Sequence, residues 1–258
     1  MKKRLISCEI SLFYVIMTQR YRIWGDYMKS TFDWQKESQT QWDNQAISWS
    51  ERSSSLWKSG NRKDIIAFIE KHFEKGSKMY DIGCGDGYAS YQLHHAGFDV
   101  TGIDISRKMI ALAKEKYAQE KIPFLQGDLI ELPLENNSCD GLMAINALEW
   151  IEVPAKGISE LERVVKKGGF MCIAVLGPTA GPRAKSFPRL HGHKAVCNTM
   201  MPWEFQQLVA EYNLEYVDGF GVYKKGVEMK QIQHLPLELK QALSFMWVFM
   251  LRKAGDAS

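Results

Sequence analysis

The sequence predicts an α/β fold in which helices cover both faces of a doubly wound, mostly parallel sheet. Short apolar segments alternate with segments of helical periodicity between residues 79 and 176, which is the pattern of parallel strands joined by right-handed crossovers. The apolar run at 170–176 is continuous, as expected for a strand that is buried on both faces. The strand predicted at 79–82 runs directly into three glycines at alternating positions, where open sheets of this kind bind ligands.

Two helices are predicted ahead of the first strand. Trp42, Ala46 and Trp49 recur at helical spacing within residues 38–55, which predicts an amphipathic helix with an aromatic inner face. A second helix is predicted at 62–74. The alternating units that follow are strand 79–82, helix 88–96, strand 98–103, helix 106–120, strand 122–126, strand 140–145, helix 154–166 and strand 170–176.

The alternation stops after residue 176. Residues 177–200 contain three prolines and three glycines and show neither helical nor strand periodicity. A stretch of this length without regular structure is typical of a binding loop, so we expect a lid. We expect residues 38–258 to form a single domain and residues 1–37 to be an N-terminal extension, either disordered or upstream of the working start. The remaining elements are predicted as helix 203–212, strand 214–223, helix 236–243 and strand 245–251.

The composition limits the possible partners. The chain has 258 residues and a formal net charge of +3, which is too small to indicate a nucleic-acid surface. Five cysteines without C-x-x-C spacing support neither a disulfide framework nor a zinc site, so a cytoplasmic location is predicted. No apolar run is long enough to span a bilayer, and we expect no membrane partner. The oligomeric state stays open.

The glycine turn and the next acidic residue carry the main functional signal. Gly83, Gly85 and Gly87 let the main chain take a positive φ and let a ligand lie against bare backbone. Asp104 ends the following apolar run, where its carboxylate could accept hydrogen bonds from two ribose hydroxyls. The spacing G-x-G-x-G differs from the G-x-G-x-x-G of dinucleotide sites, and Asp81 would repel a pyrophosphate but suits an ammonium group.

Five segments, in order, resemble the motifs of the class I S-adenosylmethionine-dependent methyltransferases, in particular methyltransferase type 11 and the ubiquinone and menaquinone methyltransferases. The resemblance implies a Rossmann-like sheet of seven strands with an antiparallel last strand, and S-adenosylmethionine as the cofactor. The segments are YDIGCGDG at 80–87, GIDIS at 102–106 with Met109, QGDL at 126–129, CDG at 139–141 with NALEW at 146–150, and ELERVVKKGG at 160–169.

The resemblance also implies which residues bind the cofactor. In the family, the carboxylate at the position of Asp104 holds the ribose, and apolar side chains at the positions of Ile105 and Met109 sandwich the adenine. Asp128 would accept a hydrogen bond from the exocyclic amine of the adenine, and the backbone at Asn146 would contact the methionine ammonium. The full implied set is Asp81, Gly83, Cys84, Gly85, Gly87, Asp104, Ile105, Met109, Gly127, Asp128, Leu129, Asn146 and Ala147.

Residues on the acceptor side are harder to predict, because methyl transfer from a sulfonium mainly requires alignment and exclusion of water. His191 and His193 are candidate general bases, since histidine titrates near neutral pH; exposed loop histidines are the alternative interpretation. The family often has histidine where this chain has Trp150. Trp49 and Trp57 could cover the cofactor, or they could pack a helix onto the sheet. The predicted substrate and lid residues are Trp49, Trp57, Phe187 and Arg189.

We therefore expect transfer of a methyl group from S-adenosylmethionine to a small-molecule acceptor by in-line displacement. Methylation of a protein or an RNA is the alternative among enzymes, and a cofactor-binding regulatory protein without turnover is the alternative outside them. A nicotinamide oxidoreductase is least favoured, because the third glycine comes one residue too early. No metal site and no nucleic-acid partner are predicted.

Overall fold

A mixed sheet of seven strands forms the centre of the protein in the computed structural model, which describes residues 32–255. The strands are β1 (Lys78–Ile82), β2 (Asp99–Asp104), β3 (Phe124–Gln126), β4 (Cys139–Ile145), β5 (Val165–Leu176), β6 (Leu214–Tyr223) and β7 (Ser244–Lys253). They lie in the order β3-β2-β1-β4-β5-β7-β6. Strands β1 to β5 are parallel, whereas β7 is antiparallel to its neighbours β5 and β6. The predicted Rossmann-like sheet with an antiparallel last strand is confirmed.

Helices lie on both faces of the sheet. Most of them agree with the predicted spans to within a few residues, although the first helix is longer than predicted at both ends. The helices are α1 (Trp34–Lys58), α2 (Ile65–Glu70), α3 (Tyr88–His95), α4 (Arg107–Lys116), α5 (Pro154–Val164), α6 (Pro202–Val209), α7 (Met229–Ile232) and α8 (Leu237–Ala242), with 3-10 helices at Leu148–Trp150 and Gly181–His191.

The side chains of β4 show how the sheet separates two cores. Leu142 and Ala144 belong to the core on one face, and Met143 and Ile145 belong to the core on the other, as the two-residue period of a strand requires. Both faces of this strand are therefore buried. The first face is covered by α5 and α6 through Ile158, Leu161, Val164, Phe205 and Val209, and the second by α2 and α3 through Ile65, Phe68, Ile69, Ala89 and Leu93.

Polar contacts fix α1 against the turns that follow β1 and β2. Ser53 Oγ donates to Asp86 Oδ2 at 2.7 Å, which attaches the helix to the glycine turn. Ser106 Oγ donates to Asp43 Oδ1 at 2.5 Å, which attaches it to the turn after β2. Helix α1 therefore forms a wall at the edge of the sheet where open α/β folds bind their ligands.

The prediction that residues 177–200 lack regular structure is wrong in the centre of this segment, where a 3-10 helix runs over Gly181–His191. Pro182 lies in the first turn, where a missing N–H breaks no helical hydrogen bond. Gly192 ends the helix with a φ of 79°, a value that glycine adopts readily. Pro182 and Gly192 therefore mark the two ends of a short helix, and Pro188 lies inside it.

Arg183 holds this segment against the sheet. Its Nε donates to Gly177 O at 2.7 Å, and its Nη2 donates to the carbonyl oxygens of Leu176 and Met200. These carbonyls lie at the two ends of the segment, so one buried guanidinium joins both ends. That the segment acts as a lid stays a prediction.

From Trp34 onward the described chain forms one compact unit. The predicted single domain over residues 38–258 stays a prediction, and most of the predicted extension over residues 1–37 lies outside the described residues. None of the helices in the described part of the chain combines the length and the apolar character that crossing a membrane requires.

Candidate functional site

A cavity of about 500 Å³ lies at the carboxyl ends of β1, β2 and β4. The strand ends and the turns after them form one side, α1 forms a second, and the start of the 3-10 helix Gly181–His191 forms a third. This is the edge at which open α/β sheets bind ligands. The predicted site residues that line it are Trp49, Gly83, Gly85, Asp104, Ile105, Met109, Gly127, Asp128, Leu129, Asn146 and Ala147.

Two glycines of the turn after β1 line the cavity and leave no room for a side chain. Gly83 and Gly85 have φ values of 73° and 57°. A Cβ on Gly83 would lie 2.9 Å from the Cβ of Ala147, and one on Gly85 would lie 2.9 Å from Trp49 Nε1. The turn therefore presents bare backbone to the cavity, with Trp49 directly above it.

Asp104 is oriented by two backbone donors. Gly85 N donates to its Oδ2 at 2.9 Å, and Ser106 N donates to its Oδ1 at 2.8 Å. Burial raises the pKa of the Asp104 carboxyl to about 6, against the two backbone hydrogen bonds, which lower it. Each oxygen thus keeps acceptor capacity toward the cavity, in the geometry that a pair of ribose hydroxyls requires.

The turn after β2 is held in place by Ser106. Its Oγ accepts from Met109 N at 3.1 Å and so caps α4. This cap places Met109, together with Ile105 from the same turn, in the cavity lining, where the sequence predicts contacts with an adenine.

Asp81, Cys84 and Gly87 lie behind the glycine turn and do not line the cavity. Asp81 Oδ2 accepts from Ser90 Oγ of α3 at 2.6 Å, and burial raises the pKa of this carboxyl to about 7. Gly87 is required for packing, since a Cβ there would lie 2.8 Å from the Phe124 ring. Burial raises the pKa of the Cys84 thiol, so this cysteine is no activated nucleophile. These three residues therefore support the turn from behind, and their predicted contact with the cofactor stays a prediction.

Asn146, at the end of β4, has a φ of 55° and is fixed from both sides. Its Nδ2 donates to Glu149 Oε1 at 3.4 Å, and its backbone carbonyl accepts from Trp150 Nε1 at 2.7 Å. Glu149 is fully buried and also accepts from Leu176 N at 2.5 Å. Burial raises the pKa of the Glu149 carboxyl, although the hydrogen bond from Leu176 N lowers it.

Arg62 is a cavity residue that the sequence analysis missed. Its Nη2 donates to Asn146 Oδ1 at 3.2 Å, and its guanidinium carbon lies 4.8 Å from the ring centroid of Trp49 and 5.8 Å from that of Trp57. Burial lowers the pKa of this guanidinium to about 10. Within residues 32–255, no carboxylate lies within ion-pair distance of Arg62, and its Nε has no hydrogen-bond partner. Trp57 packs behind this guanidinium and does not line the cavity.

Tryptophans surround a lysine on the side of the cavity that faces the 3-10 helix. Lys185 Nζ lies 4.3 Å from the ring centroid of Trp42 and 4.8 Å from that of Trp150, and it donates to Gln45 Oε1 at 2.9 Å. Trp34 Nε1 donates to Trp150 O at 2.7 Å and closes the wall. Burial lowers the pKa of the Lys185 ammonium to about 8.

Four predicted residues of the segment 177–200 are not brought to this cavity. Phe187 is 59% exposed, Arg189, His191 and His193 are also exposed, and none of the four lines the cavity. The physical reason is the helix that the sequence did not predict: it presents Gly181, Pro182 and Lys185 to the cavity, and its later residues face outward. No histidine of the described residues lines the cavity.

Comparison with known proteins supports the family that the motifs indicate. Residues 80–173 match the model of a methyltransferase domain. A malonyl-[acyl-carrier protein] O-methyltransferase of Pectobacterium atrosepticum is 31% identical over 135 residues, 52% of this chain and 51% of that protein. A demethylmenaquinone methyltransferase of Staphylococcus aureus is 33% identical over 129 residues, 48% of this chain and 51% of that protein. The alignments therefore span about half the length of these relatives.

Solved structures share the fold at low identity. A chain of the Haloferax volcanii complex that contains the Trm112 methyltransferase activator gives a TM-score of 0.65 at 18% identity and covers 83% of this chain and 98% of that one. The [4+2]-cyclase SpnF gives a TM-score of 0.58 at 17% identity and covers 76% of this chain and 82% of that one. The matched domain and the relatives agree with the prediction from the five motifs: residues 80–173 of this chain carry a methyltransferase domain, and the solved structures share its fold.

Proposed function

We propose that this protein transfers a methyl group from S-adenosylmethionine to a small-molecule acceptor. The observation that carries the proposal is that one cavity joins the glycine turn and Asp104 to the tryptophan-lined side near Lys185. Its volume of about 500 Å³ falls within the range of roughly 300–1,000 Å³ that is typical of small-molecule sites.

The residues at the strand ends fit the adenosine part of this cofactor. Asp104 has an acceptor oxygen for each ribose hydroxyl, and Ile105 and Met109 offer apolar contact to the adenine. Gly83 and Gly85 line the cavity without side chains, so the methionine part would lie along their backbone. When bound, S-adenosylmethionine supplies a methyl group that is already activated on a sulfonium.

We assign the methionine carboxylate to Arg62. The guanidinium is 7% exposed and bonds Asn146, the residue whose strand end is expected to meet the methionine part. A buried cation without a carboxylate partner is unfavourable, so an anion from the ligand would be strongly preferred there.

Beyond cofactor binding, this chain has to align the acceptor with the methyl group and exclude water. Helix α1 and the 3-10 helix, with Trp42 and Lys185 at their contact, cover the side of the cavity away from the sheet. The names of the relatives indicate different acceptors, a malonyl group on a carrier protein and demethylmenaquinone, so they support methyl transfer without selecting an acceptor. A cytoplasmic location stays a prediction from the cysteine pattern.

Calorimetry with S-adenosylhomocysteine tests the cofactor, and a screen of small acceptors for S-adenosylhomocysteine release tests the reaction. Binding without turnover on any acceptor would favour a non-methyltransferase role, for which the similar fold of a cyclase is a precedent. Turnover only on a protein or an RNA would favour the macromolecular alternative.

A further inference from the structure

The charges that line the cavity are divided between its two sides. The carboxylates of the described lining, Asp104 and Asp128, come from the strand-end turns where the adenosine is expected. The cations of the same lining, Arg52, Arg62 and Lys185, come from the N-terminal residues and the 3-10 helix. The cationic side chains of the described lining therefore lie on the side away from the adenosine, which tryptophans also line.

Lys185 is the cation placed for an acceptor. Its ammonium lies 4.8 Å from the Trp150 ring, and the same ring donates through Nε1 to the backbone carbonyl of Asn146 at 2.7 Å. One tryptophan thus separates Lys185 from the end of β4. Arg62, by contrast, contacts Asn146 directly and is already assigned to the cofactor.

The ammonium of Lys185 has donors left for a ligand. Of its three N–H groups, one donates to Gln45 Oε1, and no carboxylate of residues 32–255 lies within ion-pair distance. Partial burial lowers its pKa to about 8, so it is still charged at neutral pH and would be stabilised by an anion.

Resting on the proposed function, we propose that the acceptor is a small apolar molecule with an anionic oxygen, a carboxylate or a phenolate, which Lys185 binds on the tryptophan-lined side of the cavity. The indole rings of this side suit an apolar body, and the ammonium suits the oxyanion.

An oxyanion acceptor also explains why the described cavity lining contains no histidine. The oxygen lone pair forms the new O–CH₃ bond while the electron pair of the C–S bond returns to sulfur. The anion and the sulfonium become a neutral ester or ether and a neutral thioether, and no proton has to be removed. A general base is therefore not required.

Matched ligand pairs on the S-adenosylhomocysteine complex test this inference. The pairs are benzoate with benzamide and para-nitrophenolate with para-nitroaniline, and benzylamine serves as the cationic probe. We expect calorimetry to give at least roughly tenfold tighter binding for the anion of one pair, since a charge-assisted hydrogen bond is involved. Preference within the benzoate pair identifies a carboxylate acceptor, and preference within the phenolate pair identifies a phenolate.

Variants of the protein then identify the residue that binds the anionic group of the probe. Lys185→Gln should remove the preference for the anion, and Lys185→Arg should keep most of it. Lys194→Gln removes an exposed cation of the same segment that does not line the cavity, so it should behave as wild type. S-adenosylhomocysteine should bind all three variants as it binds wild type, which shows that the site is intact.

The inference is wrong if no anion is preferred in either pair, if none of the probes binds, if benzylamine binds best, or if the preference survives Lys185→Gln. In each case binding of S-adenosylhomocysteine leaves the proposed function standing. If S-adenosylhomocysteine does not bind the wild-type protein, the proposed function fails and this inference fails with it.

Discussion

Replacing Arg62 with glutamine should weaken the binding of S-adenosylmethionine by about 1.5–3 kcal/mol, because a charge-assisted hydrogen bond to its carboxylate is lost. The structure supports the upper part of this range. Arg62 is 7% exposed, so water competes little, and within residues 32–255 its one direct hydrogen bond is from Nη2 to Asn146. Its remaining donors are available to a ligand, and a carboxylate can take two of them side by side.

The free protein should lose little from the same substitution. The variant gives up one hydrogen bond and cation–π contacts with Trp49 and Trp57. It also removes a buried charge whose pKa burial lowers to about 10, which is a gain. Because these effects oppose each other, we expect the free energy of unfolding to change by less than about 1 kcal/mol.

The assay measures the affinities of wild type and Arg62→Gln for two ligands, S-adenosylmethionine and its decarboxylated form. Decarboxylated S-adenosylmethionine differs from the parent by the carboxylate alone, so calorimetry on both ligands isolates that group. Wild type should discriminate between the ligands, and Arg62→Gln should bind both with similar affinity. Arg252→Gln is the matched control, since this exposed arginine also lies over an aromatic ring, 5.9 Å from the Phe170 centroid, but does not line the cavity.

Two results would refute the assignment of Arg62. Unchanged affinity for S-adenosylmethionine in a folded Arg62→Gln variant would mean that the guanidinium does not contact the ligand. Equal weakening of both ligands would mean that Arg62 acts by holding Asn146 or Trp49 in place rather than by binding the carboxylate.

Three further predictions concern the carboxylates and the histidines. Asp104→Ala should weaken S-adenosylhomocysteine binding by about 1.5–3 kcal/mol through loss of the ribose contacts; calorimetry showing unchanged affinity, or NAD binding more tightly than S-adenosylhomocysteine to the wild-type protein, would contradict this role. Burial raises the pKa of Asp81 to about 7. Between pH about 4 and about 7 the folded state therefore binds a proton that the unfolded state has already lost. The ligand-free protein should lose stability as the pH rises through this range. Asp81→Asn should remove at most about 4 kcal/mol of that loss, and urea unfolding of both proteins at the two ends of this range would detect it. His191 and His193 are exposed and line no part of the cavity, so replacing both with glutamine should leave turnover unchanged; a loss of turnover at constant S-adenosylhomocysteine affinity would reinstate a histidine base.

The adenosine side of the site could be predicted from the sequence because its chemistry is local. A strand, a glycine turn and an acidic residue at the next strand end occupy one short stretch of chain. Gly85 and Asp104 are joined there by a backbone hydrogen bond of 2.9 Å. Backbone geometry and strand order bring these residues together in any sequence that forms the βαβ unit. The alternation of strands and helices predicted the parallel part of the sheet, and the resemblance to the methyltransferase family implied its antiparallel last strand.

The position of Asp81 shows the limit of this reasoning. The motif places a carboxylate two residues before the first glycine, and the sequence interprets it as a partner for an ammonium group. In the structure its side chain points to Ser90 of α3. Asp81 lies on the face of β1 that α3 covers, and the spacing of the motif does not show that Ser90 of this helix bonds the carboxylate.

The cationic side of the cavity, which includes Arg62 and Lys185, could not be predicted because its residues converge from distant parts of the chain. Arg62 precedes α2 and meets Asn146, 84 positions later. Lys185 meets Gln45 of α1, 140 positions earlier. Neither pair forms a local pattern, and both depend on how α1 crosses the edge of the sheet.

The segment 177–200 brings other residues to the cavity than those the sequence predicted. In a 3-10 helix, residues three apart lie on one face. Pro182 and Lys185 share the face toward the cavity, and Arg183 and Ser186 share a buried face. For an irregular loop, the sequence analysis chose histidine as the catalytic candidate because histidine can act as a base. The 3-10 helix instead places Lys185 in the cavity lining. The chemistry changes accordingly, from removal of a proton to attraction of an anion.

The division of charge across the cavity therefore follows from the division of the fold. The sheet edge supplies the backbone, carboxylates and apolar side chains that suit an adenosine. Helix α1, the turn after it and the 3-10 helix supply the cations and the tryptophans. These are also the elements that the matched methyltransferase domain, residues 80–173, does not include. Acceptor specificity is thus expected to reside in the parts of the chain that the family pattern leaves undefined, and Lys185 is the residue at which that expectation can be tested.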